Sequence, residues 1–233
     1  MTWRTDPEKC IGAEWRNLDK PLVPTRRIRQ SNIYESTGTL IPPSAPNTAI
    51  GICRNFLSTE LSDHITHELD GHVLWEQPSI SMFGKRIPIP RLQTAFTSGS
   101  GHAYAYSGNQ VPAHASPPGV DRLRSILEEL TGQVYDFVLV NRYDDGGHSI
   151  SYHADDEPSI LPGSTIASYS LGSTRRFMLR QANNKTGDKI EIPTGNNVLI
   201  LMGGSCQKDF QHQVPKDKKT SSRRYNLTFR SLV

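Results

Sequence analysis

The sequence predicts a mainly β fold with flanking helices, packed as a sandwich or jelly roll. Two observations lead there. From residue 135 onward, eight short runs with strand-like patterning follow one another, separated by turn residues. Ahead of them, two stretches carry apolar residues at helical spacing.

Residues 1–48 read as an irregular N-terminal extension. Pro21, Pro24, Pro42, Pro43 and Pro46 interrupt any regular element, and Arg26, Arg27 and Arg29 form a small basic cluster. The expected form is a solvated tail or an extended wrap over the domain that follows, 49–233. In that domain Leu57, Leu61, Ile65 and Leu69 recur every fourth residue after Ser58, predicting an amphipathic helix that ends near Gly71. Val120, Leu123, Leu127 and Leu130 predict a second helix, closed by Gly132. The expected strands are 135–143, 149–153, 165–171, 175–180, 189–192, 197–202, 211–214 and 225–230. The run Asp144-Asp145-Gly146-Gly147 and the pairs Pro162-Gly163 and Gly187-Asp188 supply turns between them.

Composition narrows the class. The chain has 233 residues, 35% hydrophobic and 21% charged, which suits one domain with its own core. No run approaches the roughly 18 apolar residues that would span a bilayer. Asp6, Glu8 and Glu14 argue against a transit peptide, so an intracellular protein is expected, nuclear in a eukaryote and otherwise cytoplasmic. Cys10, Cys53 and Cys206 are odd in number and widely spaced, which suggests reduced thiols rather than a disulfide framework or a zinc cluster. The net charge of +3 permits a nucleic-acid partner without requiring one. A monomer is expected.

The sharpest chemical feature is His153-Ala154-Asp155. Two residues apart on a strand, His153 and Asp155 would face the same side. A later strand carries His212. Two imidazoles and a carboxylate are the facial triad of non-haem iron(II) oxygenases, which keeps coordination positions open. The same donors can also hold a hydrolytic zinc with its water. The closing strand bears on that choice. Alternation along Arg224-Tyr225-Asn226-Leu227-Thr228-Phe229-Arg230 puts Arg224, Asn226, Thr228 and Arg230 on one face and the apolar side chains on the other. Two arginines on an enclosed face are costly unless anions meet them, and guanidinium matches carboxylate in a fork geometry. A small dicarboxylate fits. Asn141 and Tyr143 share a face of the strand one hairpin upstream and could donate to it.

Together these residues resemble the AlkB family of iron(II)- and 2-oxoglutarate-dependent dioxygenases. The resemblance rests on Asn141-Arg142-Tyr143, His153-Ala154-Asp155-Asp156-Glu157, His212 and the closing Arg224–Arg230 string, and it spans residues 49–233. It implies a double-stranded β-helix, with iron on His153, Asp155 and His212. It further implies 2-oxoglutarate contacted by Asn141, Tyr143, Arg224, Asn226, Thr228 and Arg230, with O2 as second cosubstrate. Arg224 would take the far carboxylate and Arg230 the metal-side end.

Within the family the likeness is strongest to the animal member that repairs duplex DNA. It implies a nucleotide-recognition lid over about residues 75–110, containing a finger at Phe83-Gly84-Lys85, a lid strand beginning at Arg91, and a segment whose Tyr104 and Tyr106 cover an extruded base. Asp156 and Glu157 would meet the base edge. A methylated adenine or cytosine is cationic, which favours nearby carboxylates. The expected reaction is oxidative demethylation of alkylated bases such as 1-methyladenine and 3-methylcytosine in DNA, releasing formaldehyde, succinate and CO2. Lys216, Lys218, Lys219 and Arg223 would track phosphates. The alternative is a dioxygenase of the same fold that acts on RNA or on a non-nucleic-acid substrate.

Overall fold

Period-two alternation decides what lies on each side of the main sheet. The computed structural model describes residues 39–40, 48–71, 73–82, 84–97, 104–106, 109–187 and 189–233. In chain order the elements are β1 (Thr39–Leu40), β2 (Thr48–Arg54), α1 (Thr59–Gly71), β3 (Ser79–Met82), β4 (Lys85–Pro88), β5 (Leu92–Thr97), β6 (Tyr104–Tyr106), β7 (Asn109–Val111), β8 (Ala113–Ala115) and α2 (Pro118–Thr131). There follow β9 (Phe137–Tyr143), β10 (Ile150–His153), β11 (Ile166–Gly172), β12 (Arg175–Gln181), β13 (Lys189–Thr194), β14 (Val198–Gly204), α3 (Cys206–Asp209), β15 (Phe210–Val214) and β16 (Arg224–Arg230).

Eight strands form the large sheet in the order β1-β2-β14-β11-β16-β9-β5-β8, and four form a small sheet, β10-β15-β12-β13. One face of the large sheet gives Ile50, Ile52, Leu139 and Ile200 to a core shared with Phe177, Leu179, Ile192 and Val214 of the small sheet. Its other face gives Val138, Val140, Ala167, Tyr169, Leu227 and Phe229 to a second core, with Leu61, Ile65 and Leu69 of α1 and Val120, Leu123 and Leu127 of α2. Each such side chain, fully buried, contributes about 1.5–3 kcal/mol. The result is a jelly roll with helices on one outer face, and the space between the two sheets is where polar side chains can be enclosed.

The two helices are joined by a charged group. Both oxygens of Glu68 accept the Gly119 N–H at 3.0 Å, where α2 begins. A Cβ at Gly119 would come within 2.6 Å of that carboxylate and displace it, so glycine lets the two groups meet. At the other end Gly132 adopts φ 68° and returns its N–H to Glu128 O, the predicted helix stop.

The expected strands from residue 135 onward all have counterparts, with shifted ends. The first begins at Phe137 rather than 135, because the Tyr135 N–H is taken by Glu128 Oε1 at 2.9 Å and its ring packs edge-on against Phe229. The second begins at Ile150 rather than 149 and ends at His153 as expected, which leaves Asp155 beyond the strand. Sequence reading missed β2 as a strand between β1 and β14, and it treated β5 as part of a lid. In the fold β5 is a member of the large sheet between β9 and β8. Thr39–Leu40, within the expected N-terminal extension, pairs antiparallel with β2. Cys53 and Cys206 are buried and not joined in a disulfide, and Cys10 lies outside the described residues. Among the described residues no helix is long and apolar enough to cross a membrane.

Candidate metal and cosubstrate site

His153 and His212 face each other across the β10–β15 ladder, and their ring centroids lie 4.2 Å apart. Asp155 follows from the end of β10. One ligand atom from each of the three lies within 4.8 Å of the others, and among the described residues no other such group is found. His153 Nδ1 sits 2.9 Å from the Ser151 carbonyl; that oxygen can only accept, so Nδ1 keeps its proton and donates it, and Nε2, which faces Asp155, carries the lone pair. Phe177 stacks on His212 at 5.1 Å and fixes that ring's plane.

The electrostatics suit a cation. Burial lowers the His212 imidazole to about 3, helped by His153, and burial likewise lowers His153. Both rings are therefore neutral lone-pair donors near neutral pH. Burial pushes the Asp155 carboxyl up, but Arg230 and the two imidazoles outweigh it and hold it below the usual carboxylate range. Two neutral imidazoles and one ionised carboxylate on a compact triangle are a donor set that a divalent ion can use without displacing protons.

The wall beside this triangle comes from neighbouring strands in register. Asn226 of β16 pairs with Asn141 of β9, and Arg224 pairs with Tyr143. All seven residues of β16 are buried, its polar side chains on the inner face and Leu227 and Phe229 on the helix face. A narrow cavity is lined by His153, Asp155 and His212 together with Asn141, Tyr143, Asn226, Thr228 and Arg230. Arg224 is not on that lining. It lies behind Tyr143, its guanidinium 5.3 Å from the ring, with Nη2 on Ser170 Oγ at 2.8 Å. Its Nε and Nη1 are buried without a hydrogen-bond acceptor, and burial lowers the group to about 10. An enclosed guanidinium with open N–H groups favours an anionic partner.

Three further residues, only the first of them singled out from sequence, brace the site. Arg91 was expected to meet substrate from a lid strand. It is buried, and its Nε donates to Asn141 Oδ1 at 2.7 Å. Gln93, not singled out from sequence, donates to the same oxygen at 2.8 Å and lines the cavity. Arg175 is 1% exposed and spends its Nη atoms on the carbonyls of Asp145, His148 and Pro215, lacing the β9–β10 turn to the loop after β15. Its signal was available, since Arg175, Phe177 and Leu179 fall on one face of a strand whose other two members are core.

The expected substrate residues are placed less tightly. Gly84, at φ 73°, and Lys85 are exposed at the tip of the β3–β4 hairpin, and Phe83 lies outside the described residues. Tyr104 and Tyr106 lie on β6, paired with Val111 and Asn109, and their side chains are outside the description. Asp156 is exposed and Glu157 half-buried, and both line a broad groove that also touches Asp155. Lys216, Lys218 and Lys219 are exposed. Arg223 is engaged elsewhere, paired with both Asp70 and Asp144.

Comparison with known proteins adds a lineage. Residues 49–230 match the 2OG-Fe(II) oxygenase superfamily. The human DNA oxidative demethylase ALKBH2 is 32% identical over 181 residues, covering 74% of this chain and 69% of that protein. The alpha-ketoglutarate-dependent dioxygenase alkB homolog 3 of Rattus norvegicus is 30% identical over 244 residues, covering 99% and 80%. Likeness to the two kinds of relative is thus comparable in degree. Among solved structures, that of OsALKBH1 superposes with a TM-score of 0.54 at 19% identity, over 78% of this chain and 97% of the other, a likeness of fold.

Proposed function

Since the chain belongs to the 2OG-Fe(II) oxygenase superfamily, and within it to the AlkB family, we propose that this iron(II)- and 2-oxoglutarate-dependent dioxygenase oxidatively demethylates alkylated bases in DNA. Lesions of the 1-methyladenine and 3-methylcytosine type are the proposed substrates, and DNA alkylation repair the proposed role. Supporting this are relatives named as DNA oxidative demethylases. The one observation that carries it is the His153–Asp155–His212 triangle opening onto the same cavity as Asn141, Asn226, Thr228 and Arg230.

In this reading His153, Asp155 and His212 hold iron(II). Arg230 meets the metal-side end of 2-oxoglutarate and Arg224 the far carboxylate, while Asn141, Tyr143, Asn226 and Thr228 orient it. Bound together, iron(II), 2-oxoglutarate and O2 supply the oxidation of the N-methyl group, which departs as formaldehyde while the diacid leaves as succinate and CO2. The chain's own part is positioning, exclusion of water, and charge. The neutral imidazoles and the ionised Asp155 need no proton exchange before the metal binds. Asp156 and Glu157 present negative charge to a cationic methylated base. Such a base must leave the stack, at a cost of a few kcal/mol that is lower when it already cannot pair. The lid segments on either side of β5, within about residues 75–110 and with Phe83, Gly84, Lys85, Tyr104 and Tyr106, are proposed to hold it there. We place the activity in the domain 49–233, acting as a monomer inside the cell, in the nucleus of a eukaryotic source or otherwise the cytoplasm.

The test is direct. The protein is incubated with iron(II), 2-oxoglutarate and methylated oligonucleotides as single-stranded DNA, duplex DNA and RNA, and formaldehyde is measured. Release from DNA that requires 2-oxoglutarate supports the reading. Release from RNA alone would move the substrate, and none from any nucleic acid would remove it.

A further inference from the structure

We infer that Gln207 is a positioning residue for the metal site, its side-chain carbonyl holding the backbone of Asp155 and so fixing where that carboxylate sits. The inference rests on the reading of Asp155 as a metal ligand.

Asp155 has an unusual position among the three. The β10–β15 ladder gives His153 and His212 as cross-strand partners, so their backbones are pinned by the sheet. β10 stops at His153, and Asp155 stands in irregular chain beyond it. The ladder bond that would have fixed its main chain is replaced by a side chain: the Asp155 N–H donates to Gln207 Oε1 at 3.0 Å. The other arm of the same amide points at Met202 Sδ, 3.7 Å away, and Met202 lines the cavity. Gln207 sits on α3, in the connection between β14 and β15, the strand that carries His212.

One planar amide therefore links three things: the main chain of the carboxylate ligand, the cavity wall, and the approach to the second imidazole. Arg230 restrains the Asp155 carboxylate itself, with Nη2 on Oδ1 at 2.9 Å. With the side chain held at one end and the backbone at the other, the carboxylate can neither rotate nor drift from the imidazoles. An outer partner of this kind acts on metal affinity by presetting ligand geometry. The role needs an acceptor at Oε1, since the group it serves is an N–H. Methionine fills the same volume and cannot accept strongly. Glutamate still accepts, and its charge favours a nearby cation.

The test titrates cobalt(II) alone into the metal-free protein and follows the visible absorption of the bound ion, for the unaltered chain, Gln207→Met and Gln207→Glu. Gln207→Met should weaken cobalt by roughly 10- to 100-fold, the range seen when outer partners are removed. Its KM for 2-oxoglutarate at saturating iron should stay unchanged. Gln207→Glu should bind cobalt nearly as well as the unaltered chain. Equal affinity in the unaltered and methionine proteins overturns the inference, as does a glutamate variant as weak as the methionine one. Amide hydrogen exchange in the unaltered protein gives a check that depends on no variant folding: the Asp155 N–H should exchange slowly, and fast exchange overturns the inference too. Failure of the underlying reading looks different, because the unaltered protein would then bind no cobalt, or Asp155→Ala would bind it equally well.

Discussion

Arg230 places its Nη2 2.9 Å from Oδ1 of Asp155, and both side chains are almost completely buried. This is a pair taken out of water, unlike the exposed pair of Arg176 with Glu191. Exposed pairs contribute little, whereas removing one partner of a buried pair strands the other charge, at about 3–5 kcal/mol. Arg230→Met should therefore destabilise the metal-free protein by that order in urea unfolding. Adding Asp155→Asn, which removes the stranded charge while keeping the shape, should recover part of the loss. A double variant less stable than Arg230→Met alone would show that the two side chains are not coupled in this way.

The imidazoles give the metal-free protein a pH dependence with a definite sign. Burial lowers His212 from 6.5 to about 3 and lowers His153 in the same direction. Below 6.5 the unfolded chain takes up protons that the folded site refuses. Stability should then fall as pH drops from 6.5, by about 1.4 kcal/mol per pH unit for each such group until its folded value is reached. Asp155 works in a different window, since its depressed carboxyl contributes stability above 3.8 that is lost only in stronger acid. Thermal midpoints of the metal-free protein across mildly acid pH should show a shallower fall in His212→Asn than in the unaltered chain. Identical slopes would mean that His212 titrates normally in the fold.

Asn141 Oδ1 accepts from Arg91 and from Gln93, at 2.7 and 2.8 Å. Arginine has only donors, so that oxygen must face it, and the Asn141 amino group is turned away from both donors. Gln93→Glu would set an acceptor against an acceptor and force the amide round. A mismatched buried polar group costs about 1–3 kcal/mol. The expected result is a KM for 2-oxoglutarate raised by roughly tenfold, with cobalt affinity unchanged. A glutamate variant with normal KM would mean that the orientation of Asn141 does not matter to the cosubstrate.

What could be read from sequence followed the strength of local pattern. The alternation of β16 separates Arg224, Asn226, Thr228 and Arg230 from Tyr225, Leu227 and Phe229, and both faces lie where that period puts them. The three triad residues come together as expected. The route differs for Asp155, which was expected on a strand beside His153 and stands past its end. What stayed hidden depends on partners far away in the chain. Nothing near Gln93 or Gln207 in sequence marks either, because each is defined by a bond to Asn141 or Asp155 that only the folded topology creates. β2 was missed, and β5 was assigned to a lid rather than to the large sheet, for a related reason: each lies on the N-terminal side of its helix, yet each pairs with strands from the far half of the chain.

The basic cluster near the last strand divides into two kinds of charge, and salt can separate them. Lys216, Lys218 and Lys219 are exposed, whereas Arg223 bonds Asp144 through Nε and reaches Asp70 through Nη1, where the Tyr225 hydroxyl also donates. Those bonds outweigh burial and raise the Arg223 guanidinium further. A phosphate would have to compete with two carboxylates for it. Each lysine that neutralises a phosphate should add about 0.9 to the slope of log affinity against log salt on duplex DNA, and about 0.7 on single strands. Replacing the three lysines with alanine should flatten that slope accordingly. Arg223→Ala should leave the slope unchanged and instead lower the thermal midpoint, since it unties α1 from β9 and β16. If Arg223→Ala flattens the slope as much as a lysine does, its aspartate pairs give way to DNA, and the cluster acts as one surface after all.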